Sequence, residues 1–129
     1  LGQHEVIYLF LKSDGGSGQV SLRLVESPEP IQQNIATAVY RIVQEALTNI
    51  AKHANASQVW ISLNGSQDVL TLSISDNGQG LHPTPSGSHG LGLTGMRERI
   101  ASLQGHIHFE DAQPGLRIHV QLPITQVTS

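Results

Sequence analysis

An amphipathic helix is indicated by residues 35–54, which read IATAVYRIVQEALTNIAKHA. Apolar side chains recur there at spacings of three and four, the period of one helix face. They are Ile35, Val39, Ile42, Val43, Ala46, Leu47 and Ile50. The pattern predicts a helix from about Gln32 to His53, with one face against a core. A polar stripe runs beside that face, since Glu45 and Asn49 are four residues apart and Lys52 and His53 follow one turn later.

Six short segments elsewhere in the chain have the alternation or the β-branched content of strands. They are Val6–Leu11, Val20–Val25, Val59–Leu63, Leu70–Ile74, His106–Glu110 and Leu116–Leu122. Asn64-Gly65 begins the connection between the third and the fourth, which predicts a hairpin. A second helix is predicted from about Thr94 to Leu103, with Gly105 ending it. Six strands with mostly antiparallel neighbours and two helices indicate an α+β fold, with the helices on one face of the sheet.

Length and composition exclude several classes of protein. The chain has 129 residues and 13.9 kDa, the size of one domain. Its net charge of −3 does not suggest a nucleic-acid or anionic-membrane surface. It has no cysteine, which excludes disulfides and thiolate chemistry. No apolar run approaches the roughly 20 residues of a membrane helix. There is no signal-peptide pattern either, and the first residue, Leu1, suggests a piece of a longer cytoplasmic protein.

Three groups of polar or glycine residues are not required by packing. The first is the polar stripe of the first predicted helix, whose carboxylate, amide oxygen and cation suit Mg²⁺ and a polyphosphate. The second is Asp76-Asn77-Gly78-Gln79-Gly80, where two glycines let a flat ligand approach the backbone and Asp76 can accept from an exocyclic amine. The third is Gly90-Leu91-Gly92-Leu93-Thr94-Gly95-Met96-Arg97, a glycine-rich loop whose N–H groups can bind an anion where it becomes a helix.

Each group alone has an ordinary structural explanation. The stripe can be a solvated helix face, the second group a tight acidic turn, and a glycine-rich loop alone is weak evidence. The loop is neither a dinucleotide-binding fingerprint nor a Walker A loop, because their further elements are absent. Three histidines, His106, His108 and His119, leave a Zn²⁺ or Ni²⁺ site open as a further alternative.

Taken in this order, the three groups closely resemble the ATP-binding catalytic domain of sensor histidine kinases. They correspond to its N, G1 and G2 boxes, and the third continues as Gly95-Met96-Arg97-Glu98-Arg99. That continuation and the short lid are most similar to the nitrate- and sugar-phosphate-sensor subfamily. The resemblance extends from about Val20 to Pro123. It predicts an ATP-binding domain over residues 20–125, with 1–19 as an unassigned lead-in and 126–129 as a tail.

The resemblance implies a Bergerat-type α/β sandwich, a mixed sheet with helices on one face, that binds ATP and Mg²⁺. It implies that Asn49 ligates Mg²⁺ and that Glu45 orients or deprotonates the attacking group. Lys52 and His53 would reach the phosphates. The loop around the phosphates would consist of Gly90, Leu91, Gly92, Leu93, Thr94 and Gly95.

The adenine base would be bound by the second group. The resemblance implies that Asp76 accepts from the adenine amino group and that Gly78 and Gly80 leave room for the base. Leu116 departs from the family, which has a threonine there to support a water between adenine and the aspartate, so we expect an altered pocket. Leu81–His89 has little to bury, and we expect this lid to be mobile until nucleotide orders it.

The implied activity is that of a histidine protein kinase, which transfers the γ-phosphoryl group of ATP to a histidine. That histidine would lie on a dimerisation domain of the same parent protein, with a response regulator downstream. We expect a cytoplasmic domain without nucleic-acid or direct membrane contact, whose parent could be an inner-membrane sensor. Two alternatives stay open: a serine kinase of the anti-sigma-factor type, and a non-catalytic nucleotide-sensing or docking module.

Overall fold

Nine elements follow one another in the part of the chain that the computed structural model describes, residues 3–11, 16–25, 31–54, 56–66, 68–79 and 93–124. The strands are β1 (Gln3–Leu11), β2 (Ser17–Val25), β3 (Gln58–Gly65), β4 (Val69–Asp76), β5 (His106–Asp111) and β6 (Leu116–Pro123). The helices are α1 (Gln33–Asn49) and α2 (Leu93–Ser102), and a π-helical turn (Ile50–Ala54) follows α1. All the predicted strands and helices are present.

The strands form one sheet in the order β1-β2-β3-β4-β6-β5. Every neighbouring pair is antiparallel except β2 and β3, which are parallel. Parallel neighbours need a long crossover connection, and α1 lies in the connection between these two strands. The predicted hairpin of β3 and β4 is confirmed, although Asn64 and Gly65 still belong to the ladder. The sheet is therefore mixed and mostly antiparallel, as predicted.

One face of the sheet packs on the helices because apolar and polar residues alternate along the central strands. On β4, Leu70, Leu72 and Ile74 are buried, whereas Thr71 and Ser73 between them are only partly covered. Buried residues of the helical layer join the same core: Ile35, Ile42, Ala46, Ile50, Met96 and Ile100. Burying one such large side chain contributes about 1.5–3 kcal/mol. The opposite face, called the open face below, carries the alternate, mostly polar residues.

The end of α1 differs from the single long helix that the periodicity predicts. The α-helix ends at Asn49, and Ile50–Ala54 continue as one π-helical turn. The Ile50 N–H is shared between the carbonyls of Ala46 and Leu47, which marks the end of the regular ladder. Single π-turns often occur at functional sites, and this one carries Lys52.

The end of α2 corrects the prediction that Gly105 stops the helix through its backbone freedom. Gln104, not Gly105, adopts the left-handed conformation, with φ of 62°. The N–H of Gln104 donates to Ala101 and that of Gly105 donates to Ile100, both at 3.0 Å, which is the Schellman pattern. Glycine is required at 105 for space, since a Cβ there would lie 2.5 Å from the carbonyl oxygen of Gln121.

The amino-terminal lead-in takes part in the sheet. β1 pairs with β2 from Gln3 opposite Val25 to Leu11 opposite Ser17, so the predicted boundary at residue 20 falls inside β2. The predicted lid, Leu81–His89, and the tail, 126–129, lie outside the described residues. Neither of the described helices combines the length and the apolar character needed to cross a bilayer.

The two faces of β4 predict opposite responses to truncation. Leu72→Ala should lower the free energy of unfolding by about 2–5 kcal/mol, because it leaves a cavity in the core. Ser73→Ala, one residue along on the open face, should change it by less than about 0.5 kcal/mol. Urea unfolding of both variants measures the difference. Equal destabilisation would contradict the assignment of the faces.

Candidate functional site

Asp76 ends β4 on the face of the sheet that packs on the helices, two residues after buried Ile74. It is 3% exposed and is the one buried charged residue in the described ranges. The Gly78 N–H donates to Oδ1 at 2.8 Å, and the Leu116 N–H donates to the same carboxyl group. Burial raises the pKa of Asp76 above its ordinary value of 3.8, outweighing the two hydrogen bonds, which lower it. A buried carboxyl group with a raised pKa marks a candidate functional site.

Gly115 lies in the turn immediately before β6, the strand that pairs with β4, and it shapes this site. Its φ is +95°, and a Cβ at this position would overlap the backbone carbonyl of Asp76. Only glycine therefore allows the chain to pass so close to Asp76 and to direct the Leu116 N–H at the carboxyl group. From the sequence, Leu116 was expected to matter only through its side chain, and neither its N–H nor Gly115 was predicted to contribute. The signal available was a glycine in the turn directly before a strand.

Asn77 joins the loop after β4 to the start of β3 through hydrogen bonds. Its Oδ1 accepts from the N–H groups of Ser57 and Gln58, both at 2.9 Å. Its Nδ2 donates to Ser57 Oγ at 2.9 Å, and its own N–H donates to the Gln58 carbonyl at 3.2 Å. Ser57 lies a few residues after the π-helical turn, so this set of bonds links the loop at Asp76 to the end of the α1 connection. This role of Asn77 was not predicted from the sequence, although asparagine in a turn often bonds to nearby backbone.

Two residues of the predicted polar stripe, Glu45 and Asn49, lie on α1 beside its buried face. Glu45 and Asn49, one helical turn apart, are both half-buried, and Ala46 next to Glu45 is buried. Lys52 is exposed on the π-helical turn. His53 belongs to the same turn, and its side chain lies outside the described part of the structure. The carboxylate and amide oxygens of Glu45 and Asn49 are the ligand types that Mg²⁺ prefers.

The amino-terminal end of α2 contains part of the predicted phosphate loop. Leu93 begins the helix and Thr94 and Gly95 follow in its first turn. Gly95 is exposed, and a Cβ on it would meet no atom within 4 Å, so the described protein itself does not require glycine there. Gly80, Gly90, Leu91 and Gly92 lie outside the described residues.

The histidine alternative is not supported by the structure. His108 and His119 are direct partners across β5 and β6. However, no group of three or more His, Cys, Asp or Glu side chains in the described ranges could hold a metal ion. The pair is explained as part of the polar open face.

Comparison with known proteins assigns the chain to a family. Residues 34–126 match the family model described as histidine kinase-, DNA gyrase B-, and HSP90-like ATPase. The chain belongs to this ATPase family. The match covers α1, the loop at Asp76 and α2, the same elements that carry the N, G1 and G2 boxes, and it confirms the resemblance drawn from them.

The relatives of this ATPase domain include sensor kinases. Sensor histidine kinase YxjM of Bacillus subtilis is 41% identical over 99 residues, which are 76% of this chain and 24% of YxjM. The histidine-protein kinase/phosphatase UhpB of Salmonella typhimurium is 40% identical over 115 residues, 88% of this chain and 22% of UhpB. The chain thus spans about a quarter of the length of these relatives. It is an ATP-binding catalytic domain of the sensor histidine kinase type, as predicted.

Solved structures show the same fold. The histidine kinase AdeS of Acinetobacter baumannii aligns with a TM-score of 0.66 at 18% identity, over 81% of this chain and 53% of that chain. The ATP-binding domain of PrrB from Mycobacterium tuberculosis aligns with a TM-score of 0.57 at 23% identity, over 81% of this chain and 80% of that chain. The predicted α/β sandwich is confirmed.

Two glycine positions of this ATPase domain should respond oppositely to alanine. Gly115→Ala should lower the free energy of unfolding by about 1–3 kcal/mol, because the Cβ meets the Asp76 backbone and φ is positive. Gly95→Ala is the matched control, because the added Cβ enters open space. Since alanine favours the helix over glycine, this variant should raise the free energy of unfolding by up to about 1 kcal/mol. Denaturant unfolding measures both, and wild-type stability of Gly115→Ala would contradict the packing at Asp76.

Stability should depend on pH through Asp76. Its pKa is higher in the folded protein than the ordinary 3.8, so the folded state holds the proton more tightly. The stabilisation from the protonated form is present below the unfolded pKa and is lost as pH rises through the folded pKa. The free energy of unfolding of the wild type relative to Asp76→Asn should therefore fall as pH rises from 3 to 7. A difference that stays flat or rises with pH would contradict the raised pKa.

Proposed function

We propose that this domain binds Mg²⁺-ATP between α1 and the loop after β4 and donates the γ-phosphoryl group to a histidine. The buried carboxyl group of Asp76 carries the proposal. An ionised carboxylate has about four acceptor positions, and the Gly78 and Leu116 N–H groups use only part of them. The remaining capacity suits the amino group of adenine, with Gly78 and Gly80 leaving room for the ring.

Mg²⁺ fits the oxygen donors on the flank of α1. Asn49 would ligate it and Glu45 would lie one turn earlier, half-buried beside the same face. A hard cation of this kind takes few protein ligands and shares its remaining positions with phosphate oxygens and water. When bound, it neutralises phosphate charge. Lys52 and His53 would add positive charge near the phosphates, and the loop from Gly90 to Gly95 would surround them with backbone N–H groups.

The transfer step requires an acceptor from outside this chain. A nitrogen of the acceptor histidine would form a bond to the γ-phosphorus as the bond to the β,γ-bridging oxygen breaks, leaving ADP. Glu45 would orient the imidazole or accept its proton. The chain spans about a quarter of the length of its relatives, and we place the acceptor histidine on a dimerisation domain of the parent protein. A response regulator would then receive the phosphoryl group from that histidine. Such reactions depend mainly on positioning and charge neutralisation.

The relatives are named as sensor kinases, which disfavours a serine kinase of the anti-sigma-factor type. The non-catalytic alternative rested on Leu116. In the structure Leu116 supplies a backbone N–H to Asp76, which does not depend on its side chain. Leucine in place of threonine would therefore remove only the side chain that holds a water beside adenine. The Asp76 carboxyl group would keep its position.

Asp76→Asn should weaken ATP binding. The substitution replaces one carboxylate oxygen by an NH₂ group, which is a donor facing the donor amino group of adenine. The loss of the hydrogen bond should cost about 1–3 kcal/mol of binding free energy, which raises Kd roughly 5- to 150-fold. Calorimetric titration of Mg²⁺-ATP into wild type and variant measures the change. Gln79→Ala, an exposed neighbour in the same loop, is the control and should bind as the wild type does. Unchanged affinity of Asp76→Asn would contradict the role in base recognition.

A further inference from the structure

Asn77 has no role in the proposed nucleotide site so far, although it lies between Asp76 and Gly78. Its side-chain oxygen accepts from two backbone N–H groups, those of Ser57 and Gln58, both at 2.9 Å. A carbonyl oxygen has two acceptor positions, so this oxygen has none left for a nucleotide. The side-chain nitrogen donates to Ser57 Oγ, also at 2.9 Å. Asn77 is therefore a candidate for positioning other groups rather than for contacting the ligand.

The hydrogen bonds of Asn77 extend the pairing of β3 with β4 into the loop. The ladder ends at Asp76, and the Asn77 N–H adds one more bond, to the Gln58 carbonyl at 3.2 Å. The Asn77 side chain then accepts from the N–H groups at the start of β3, where its own backbone no longer belongs to a strand. Ser57 is itself held by the sheet, because its carbonyl accepts from the Gln19 N–H at 2.9 Å. The loop is thus attached to a fixed point.

The two donors to the Asp76 carboxyl group are held in different ways. The Leu116 N–H belongs to β6, which pairs with β4. The Gly78 N–H, 2.8 Å from Oδ1, belongs to the loop and directly follows Asn77. Because the peptide bond is planar, the ψ angle of Asn77 sets the direction of the Gly78 N–H. The bonds that hold Asn77 on β3 therefore also hold one of the two donors that orient the carboxyl group.

We propose that Asn77 is a positioning residue that makes this site selective for adenine nucleotides. The proposal rests on the proposed function, in which the Asp76 carboxylate accepts from the adenine amino group. A site built to hydrogen-bond one group of its substrate rejects an analogue that lacks this group, provided that the acceptor is held in place. With the loop detached from β3, the carboxyl group would keep only the Leu116 N–H and would be free to rotate away from the base.

A purely structural role of Asn77 predicts a different result. If its three side-chain bonds only stabilised the loop, their removal would lower the stability of the domain and weaken the binding of every nucleotide alike. If they position the carboxyl group, their removal weakens the binding of Mg²⁺-ATP. The binding of Mg²⁺-ITP, which has a carbonyl in place of the amine, then changes little. The ratio of the two affinities separates these roles.

Calorimetric titration of the whole chain with each nucleotide measures this ratio. Asn77→Ala should reduce the ratio of ATP to ITP affinity by about three- to tenfold, the effect of one hydrogen bond. Ser57→Ala removes only the bond to Nδ2 and should reduce the ratio by less. Ser66→Ala is the matched control. It removes a serine hydrogen bond of 3.1 Å, to the Val69 carbonyl at the other end of the same hairpin, and should keep the wild-type ratio.

NMR titration of the Asp76 carboxyl carbon in the free domain gives a second measurement. The Gly78 N–H lowers the pKa of Asp76, so Asn77→Ala should raise this pKa above the wild-type value, and Ser66→Ala should leave it unchanged.

Two results would overturn the proposal while the proposed function stands: a wild-type affinity ratio in Asn77→Ala, whatever its stability, or an unchanged Asp76 pKa in that variant. Equal affinity of the wild type for both nucleotides would contradict the adenine role of Asp76 itself, and the proposal for Asn77 would fail with it.

Discussion

The burial of one carboxyl group, that of Asp76 at the end of β4, is the constraint on which the site depends. A charge removed from water is costly unless hydrogen bonds replace its hydration, and here the N–H groups of Gly78 and Leu116 replace part of it. Leu116 can reach the carboxyl group only because Gly115 has no side chain to strike the Asp76 backbone. The loop after β4 and the turn before β6 are therefore positioned by the same interaction.

The fold supplies this constraint through strand alternation. The alternation that makes β4 apolar on its inner face also places Asp76 on that face, at the end of the strand. Asn77 then joins the loop to Ser57 and Gln58, close in sequence to the π-helical turn that carries Lys52. In the proposed mechanism, base recognition at Asp76 and phosphate recognition at the end of α1 are thus connected through a short set of hydrogen bonds.

The sequence allowed the elements and their faces to be predicted, because period-2 and period-3.6 patterns follow directly from which side chains are buried. The family followed from the order of three motifs, and the match over residues 34–126 confirms it. Contacts made by backbone were not predictable in the same way. The N–H of Leu116 and the close approach of Gly115 depend on the pairing of β4 with β6, which no local pattern specifies. The left-handed Gln104 was likewise missed, because glycine is the usual residue at that position and Gly105 lay next to it.

The central claim, that Asp76 recognises the amino group of adenine, is tested most directly by titrating its carboxyl carbon by NMR with and without nucleotide. In the free domain the pKa should lie above 3.8 because of burial. Mg²⁺-ATP should lower it, since a hydrogen bond from the amino group stabilises the charged form. Mg²⁺-ITP, which has a carbonyl in place of that amine, should not lower it. An Asp76 pKa that is unchanged by saturating Mg²⁺-ATP, or lowered equally by Mg²⁺-ITP, would contradict the account.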